Sequence, residues 1–191
     1  MLPSELLKDK EFSPYSEGTP LDPFDMNGSL EPGELANHLL KEMDTHGGVG
    51  LTASQIGINA SVFAFKENTG SSLVDVVAFN PQILSYSEEN VLEAEGCLSY
   101  PGLFIKIKRP KSLHVKYTTA AGKEIDTVLG EFTARVFGHE YDHCEGIDFR
   151  DRASNLHKQQ GMKKRKYWLR KMKQANIKMA KLQREQEIAN G

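Results

Sequence analysis

His139-Glu140-Tyr141-Asp142-His143 constrains this chain more than any other stretch. A helix turns every ~3.6 residues and rises about 1.5 Å per residue, so histidines four apart stand one above the other on one face. Two imidazoles held that way can share one divalent cation, and the glutamate between them can take a proton from water. The flanks suit a buried helix: Ala134, Val136 and Phe137 precede the histidines, and Gly138 adds no side chain. A fold built on such a helix must bring a further ligand to it from elsewhere. Two hydrogen-bonded core histidines beside a half-exposed glutamate would show the same spacing, so the motif alone leaves both readings open.

At 191 residues and 39% hydrophobic content, the chain can bury a sizeable core in one domain. No run of about 18 apolar residues marks a membrane span, and the first residues lack the apolar stretch of a signal peptide. Two cysteines, Cys97 and Cys144, are too few for a disulfide framework and read as thiols or ligands. The expectation is a cytoplasmic protein. Its net charge of −2 conceals an asymmetry: of 24 Lys and Arg and 26 Asp and Glu, 11 basic but only two acidic residues lie from Lys158 onward. The body is then about −11 and the tail about +9. Such separation points to a polyanionic partner for the tail, such as nucleic acid, with a solvated helix face as the plainer alternative.

Residues 1–32 are rich in Pro, Gly and Ser and show little periodicity, as in an irregular arm that Leu6, Phe12, Tyr15 and Phe24 could pin down. Leu35, Leu39, Leu40 and Met43 recur at helical spacing between Pro32-Gly33 and Gly47-Gly48. Ser61–Phe65 and Leu73–Phe79 read as strands, the second closed by Asn80-Pro81. Leu103–Lys108, Leu113–Tyr117 and Glu124–Leu129 follow as half-buried antiparallel strands. Gly130 breaks the chain before a helix over Glu131–His143, which Gly146 can stop. A last helix is expected from about Gln159 to Gln186, with Trp168, Leu169, Met172, Ala175, Met179 and Leu182 as an apolar stripe among basic residues. Short strands and few helices, without βαβ alternation, give an α+β class. The expected architecture is antiparallel β-sheets packed around a central histidine-bearing helix, with a basic amphipathic C-terminal helix. Residues 1–157 would form the catalytic domain and 158–191 its helical tail.

A third ligand has a candidate in Glu95-Gly96-Cys97-Leu98-Ser99-Tyr100-Pro101-Gly102, where Cys97 sits between a glycine and a Pro-Gly turn. One thiolate with two neutral imidazoles suits a soft or borderline divalent cation and leaves a fourth position open. A lone cysteine is more commonly a buried small hydrophobe. The segment Gly47-Gly48-Val49-Gly50-Leu51-Thr52-Ala53-Ser54-Gln55-Ile56-Gly57 offers close main-chain approach and, in Gln55, an amide donor. His38, His46, His114 and His157 belong to no such cluster and read as surface or loop histidines.

In this order the three stretches resemble the signature motifs of the peptide deformylase family: a Gly-x-Gly-Leu-Ala-Ala-x-Gln segment, Glu-Gly-Cys-Leu-Ser, and a His-Glu helix ending in Asp-His. Gly130, Ala134-Arg135 and Arg109-Pro110 add to the resemblance, which covers most of the chain. The family removes the N-formyl group from the initiator methionine of new polypeptides. The resemblance implies that Cys97, His139 and His143 ligate one divalent ion, commonly Fe(II), with Zn, Ni or Co able to substitute. It implies that Glu140 is the general acid/base, that the Gln55 amide and the Leu98 N–H meet the oxyanion, and that Gly50 receives the substrate backbone. By motif position Val49, Phe132 and Val136 are candidates for the methionine pocket, with ordinary core packing as the alternative. Glu95 and Arg109 resemble a family pair that braces the cysteine loop. The implied partners are N-formylmethionyl nascent peptides and, because a C-terminal helix can dock bacterial members on the ribosome, rRNA; such affinity falls steeply with salt. A monomer with no membrane segment is expected.

Several residues depart from the family pattern. Thr52 stands where Ala is usual, Tyr100 where a smaller aliphatic is frequent, and Phe104 at an often polar or basic position. Gly138 replaces a common Gln. Cys144 replaces a usual Leu and, lying on a different helix face from His143, reads as a buried thiol. Two other functional classes compete. A metallopeptidase built on a His-Glu-x-x-His helix would normally take its third ligand downstream, whereas Cys97 lies upstream. A non-catalytic metal-binding or nascent-chain-binding module would need neither Glu140 nor Gln55.

Overall fold

The computed structural model describes residues 2–3, 5–8 and 18–189, so Phe12 and Tyr15 of the expected arm lie outside the described residues. In chain order the main elements are α1 (Pro32–Thr45), β1 (Gly50–Thr52), β2 (Val62–Asn68), β3 (Leu73–Tyr86), β4 (Asn90–Gly96), β5 (Phe104–Pro110), β6 (Ser112–Thr118), β7 (Glu124–Gly130), α2 (Glu131–Cys144) and α3 (Asn155–Ala189). Five strands form an antiparallel sheet in the order β1-β2-β3-β6-β7, and β4 pairs with β5 separately. Among the described residues the fold is α+β, with antiparallel sheets and three α-helices.

Three local outcomes differ from the sequence expectation. Asn80-Pro81 does not end β3; the strand runs on to Tyr86 through a bulge between Phe79 and Gln82. Asn80 takes a left-handed φ of 49°, and a bulge frees Pro81 from the ladder bond it cannot donate. The Asn80 amide then clasps the arm: Oδ1 accepts from the Phe24 N–H at 2.7 Å and Nδ2 donates to the Phe24 carbonyl at 2.9 Å. The glycine-rich segment is partly regular, with β1 followed by a 3-10 turn over Ala53–Ile56. β4 carried no legible alternation because Leu92, Glu93 and Ala94 are all exposed.

Helix α2 sits between two apolar clusters. On one side Phe137 meets Phe63 and Phe65 of β2 edge-on, with ring centroids 4.9 and 5.5 Å away, favourable geometries for aromatic rings. On the other side lies a cluster of Cys97, Tyr100, Leu103, Ile105, Ile107 and Phe149, and the Phe149 ring lies 5.4 Å from that of His139. The arm is held by buried Leu6, Leu21 and Phe24, and the Leu7 N–H reaches the Gln55 carbonyl at 2.8 Å.

Helix α3 begins at Asn155, four residues earlier than expected. It crosses β5 at Gly161, where an added Cβ would stand 2.8 Å from the Phe104 carbonyl. Arg165 Nε donates to the Pro101 carbonyl at 2.9 Å, and the Trp168 ring lies on Gly102. From residue 166 to residue 186 every side chain is exposed, including the apolar stripe through Leu169, Met172, Met179 and Leu182. Among the described residues no helix is long and apolar enough to cross a membrane.

Candidate metal centre

The i, i+4 spacing on α2 stacks the His139 and His143 rings 4.9 Å apart and perpendicular to each other. β4 ends at Gly96, and the turn that follows, closed by the Tyr100 N–H on the Cys97 carbonyl at 2.9 Å, delivers the thiol to them. One ligand atom from each of Cys97, His139 and His143 lies within 4.8 Å of the others, and all three residues are buried. Cys97 Sγ is 3.4 Å from His143 Nε2, a separation suited to two ligands that share an ion at about 2.0–2.3 Å each. The donor set therefore fits one divalent cation.

The surroundings fix these ligands. Glu95 Oε2 lies 3.3 Å from His139 Nδ1, which leaves Nε2 to face the ligand cluster. Arg109 grips Glu95 with both nitrogens of a fork, at 2.7 and 2.9 Å, and reaches Asp142 at 2.8 Å. Arg135 also donates to Glu95, and Arg152 to Asp142. Burial opposes the Glu95 charge, but the bonds from His139 and Arg109 outweigh it and hold the carboxyl at about 2. Burial also opposes charge on both histidines. At His143 it prevails and favours the neutral ring; at His139 the contacts to Cys97 and Glu95 win and hold its affinity for a proton well above the usual range.

Glu140 is buried next to this cluster, and burial raises its carboxyl above the ordinary value. Its Oε2 accepts from the Thr52 hydroxyl at 2.7 Å. Its Oε1 lies against Gly50, where an added Cβ would sit 2.3 Å away. Gly50 is thus required by proximity to the carboxylate and not by a special backbone angle. Gln55 accepts the Thr52 N–H on Oε1 at 2.9 Å, which points Nε2 at Cys97 Sγ (3.4 Å) and Ser99 Oγ (3.1 Å).

A cleft of about 590 Å³ opens over these groups. Gly50, Gln55, Cys97, Leu98, His139 and Glu140 line it, and so do Val49, Phe132 and Val136. Val136 is buried, whereas Val49 and Phe132 are exposed along the wall. Glu95 also reaches the cleft, but Arg109 and His143 stand behind it. The two departures at the mouth part ways. Tyr100 is buried and donates to Asp148 Oδ2 at 2.6 Å, while Phe104 is 63% exposed and lies over Gly96. Cys144 packs in the core away from the ligands, where burial pushes its thiol up to about 12.

Asp142, Arg152 and Ser99 escaped the sequence reading. Asp142 lies within the histidine motif, yet its arginine partners come from β5 and from the 3-10 turn Phe149–Arg152, and no local spacing announces them.

Residues 15–159 match the polypeptide deformylase family. A peptide deformylase of Thermotoga petrophila is 37% identical over 135 residues, which span 71% of this chain and 77% of that protein. A plant peptide deformylase structure superposes with a TM-score of 0.73 at 28% identity, covering 92% of this chain and 94% of that one. A class I type b peptide deformylase from Acinetobacter baumannii, solved with Met-Ala-Ser bound, gives a TM-score of 0.67 at 32% identity over 78% of this chain and 96% of that one. The matched segment holds all three candidate ligands, the buried glutamate and the glutamine beside them, and the chain belongs to the polypeptide deformylase family: it is a metal-dependent hydrolase that removes the N-formyl group from nascent peptides.

Proposed function

We propose that Cys97, His139 and His143 hold the catalytic ion, that Glu140 moves the proton, and that the cleft receives an N-formylmethionyl peptide. The observation that carries this reading is the cluster of three ligand atoms, with Cys97 and His139 lining one cleft beside a buried carboxylate and an oriented amide and His143 just behind it. A bound divalent ion, Fe(II) foremost and Zn, Ni or Co in its place, supplies Lewis acidity for the formyl oxygen and for water. Glu140 Oε1, beside Gly50, takes the proton of the attacking water and returns it to the leaving amine. The Gln55 amide and the Leu98 N–H hold the developing oxyanion; one such donor is typically worth ~3–4 kcal/mol. β1 is an edge strand of the five-stranded sheet, so its main chain at Gly50 can pair with an extended peptide whatever its sequence. Val49, Phe132 and Val136 form an apolar wall for the methionine side chain. The Met-Ala-Ser tripeptide bound by the Acinetobacter baumannii relative supports that occupant. Phe104, exposed at the mouth, meets the residues that follow methionine.

Anaerobically purified protein is expected to carry one metal per chain and to release formate from formyl-Met-Ala-Ser. A chelator should abolish the release, and Fe(II) should restore it. Cleavage of internal peptide bonds would instead indicate a peptidase, and bound metal without formate release a binding module.

The family match ends at residue 159, which supports 1–157 as the catalytic unit and 158–191 as a helical extension. We propose that this extension docks the enzyme on rRNA in the cytoplasm, where nascent chains emerge. The support is charge and shape: after Trp168 the helix exposes Arg170, Lys171, Lys173, Lys178, Lys181 and Arg184. Truncation after Leu169 keeps the Gly161, Arg165 and Trp168 contacts to the body. It should abolish salt-sensitive co-sedimentation with ribosomes while formate release from a short peptide stays within about twofold. Undiminished co-sedimentation would refute the docking role.

A further inference from the structure

We infer that Thr52 is a positioning residue for the reaction, its hydroxyl selecting which oxygen of Glu140 works. The inference rests on the proposed role of Glu140. Thr52 is fully buried and belongs to β1, whereas Glu140 lies 88 residues onward on α2. Its Oγ1 is 2.7 Å from Glu140 Oε2, within the usual hydroxyl–carboxylate range, and 3.3 Å from the Glu140 main-chain carbonyl. Its N–H separately fixes Gln55 Oε1 at 2.9 Å. One residue therefore ties together the group that moves the proton and the amide that faces the ligand cluster.

The consequence is an asymmetric carboxylate. Oε2 is engaged by Thr52, which leaves Oε1, beside Gly50, as the oxygen without that bond in a residue that lines the cleft. An unrestrained carboxylate would sample other side-chain torsions, and a reacting group misplaced by about 1 Å can lose about 100-fold in rate. A hydroxyl also suits a group that must hold and then release a proton, because it donates to the carboxylate oxygen that does not carry that proton. With Glu140 ionised, the Thr52 O–H donates to Oε2. With a proton taken up on Oε1, Oε2 remains an acceptor and the Thr52 O–H keeps donating to it. The bonding is conserved in both states, and no proton is gained or lost by threonine. An alanine, usual at this motif position, makes neither bond.

The experiment compares metal-loaded wild type with Thr52→Val, Thr52→Ser and Thr52→Ala in formate release, bound metal and thermal unfolding, with the Glu140 rotamer read from crystals. Removal of the hydroxyl should lower kcat by about 10- to 100-fold with KM within about twofold and metal content unchanged. Thr52→Ser should retain most of the rate, and Glu140 should turn in the crystals of the variants that lack the hydroxyl. Thr52→Ala answers the question should valine fail to fold. Wild-type kcat in both Val and Ala would overturn the inference. So would Thr52→Ser as impaired as Thr52→Val, since the methyl contact would then be what matters, or a rate loss that tracks lost metal.

Discussion

Glu140→Gln is expected to lower kcat by about 10³-fold, within the range that general acid–base catalysis commonly contributes. Glutamine keeps the shape of the side chain and can still accept the Thr52 hydroxyl that now bonds Oε2 at 2.7 Å. What it cannot do is take a proton from water at the oxygen facing Gly50. Glu140 lies outside the three-residue ligand cluster, so metal content should stay at wild-type level and KM should change little. The wild-type pH profile carries a second expectation. Burial raises the Glu140 carboxyl, so its proton-accepting form is lost as pH falls at a higher pH than an ordinary carboxylate would show. The acid limb of kcat/KM should therefore lie above the usual carboxylate range. Steady-state kinetics with parallel metal analysis decides the matter: an active glutamine variant, or one that has lost its metal, would remove Glu140 from the proton-transfer role.

The groups that converge on the cleft were legible because their chemistry demands fixed residue types in short windows. Two imidazoles must be four apart to share an ion from one helix, and a thiol on a glycine-flanked turn is a conspicuous third donor. What escaped was whatever depends on pairing between distant segments. Thr52 was visible only as a departure from a motif, and its bond to Glu140 exists because β1 passes under α2. Asn80-Pro81 had the composition of a stop, yet the arm residue Phe24, 56 residues away, supplies the partners that turn it into a bulge. β4 shows no apolar alternation because it packs through one buried residue, Glu95, whose burial makes sense only beside Arg109, Arg135 and His139. Helical spacing of Trp168, Leu169, Met172, Met179 and Leu182 does not say whether a partner is present within the chain, and here these side chains are exposed.

Arg109→Met should destabilise the protein by about 3 kcal/mol at neutral pH, the lower end of what breaking a buried ion pair costs. The arginine is 7% exposed and holds Glu95 and Asp142, themselves 6% and 2% exposed, through bonds of 2.7 to 2.9 Å. Methionine fills much of the volume and leaves two buried carboxylates short of their central cation. Arg135 and Arg152 still reach Glu95 and Asp142 respectively, which is why the lower end applies. The sign of the pH dependence follows from Glu95, whose carboxyl is held at about 2 against an ordinary 4.5. A depressed carboxyl contributes stability that is fully present above its unfolded value and is lost as pH falls through its folded one. Wild type should therefore lose the Glu95 contribution progressively between pH 4.5 and 2. In the variant Glu95 is protonated more readily, so the gap between the two proteins should be widest near pH 7 and narrow as pH falls from 4.5 toward 2. Urea unfolding of both proteins across that range measures it, and a gap independent of pH would mean that lost packing, not the ion network, carries the effect. Because Glu95 also orients His139, the same substitution should weaken metal retention by about 10- to 100-fold, tying the stability of the fold to occupancy of the site it supports.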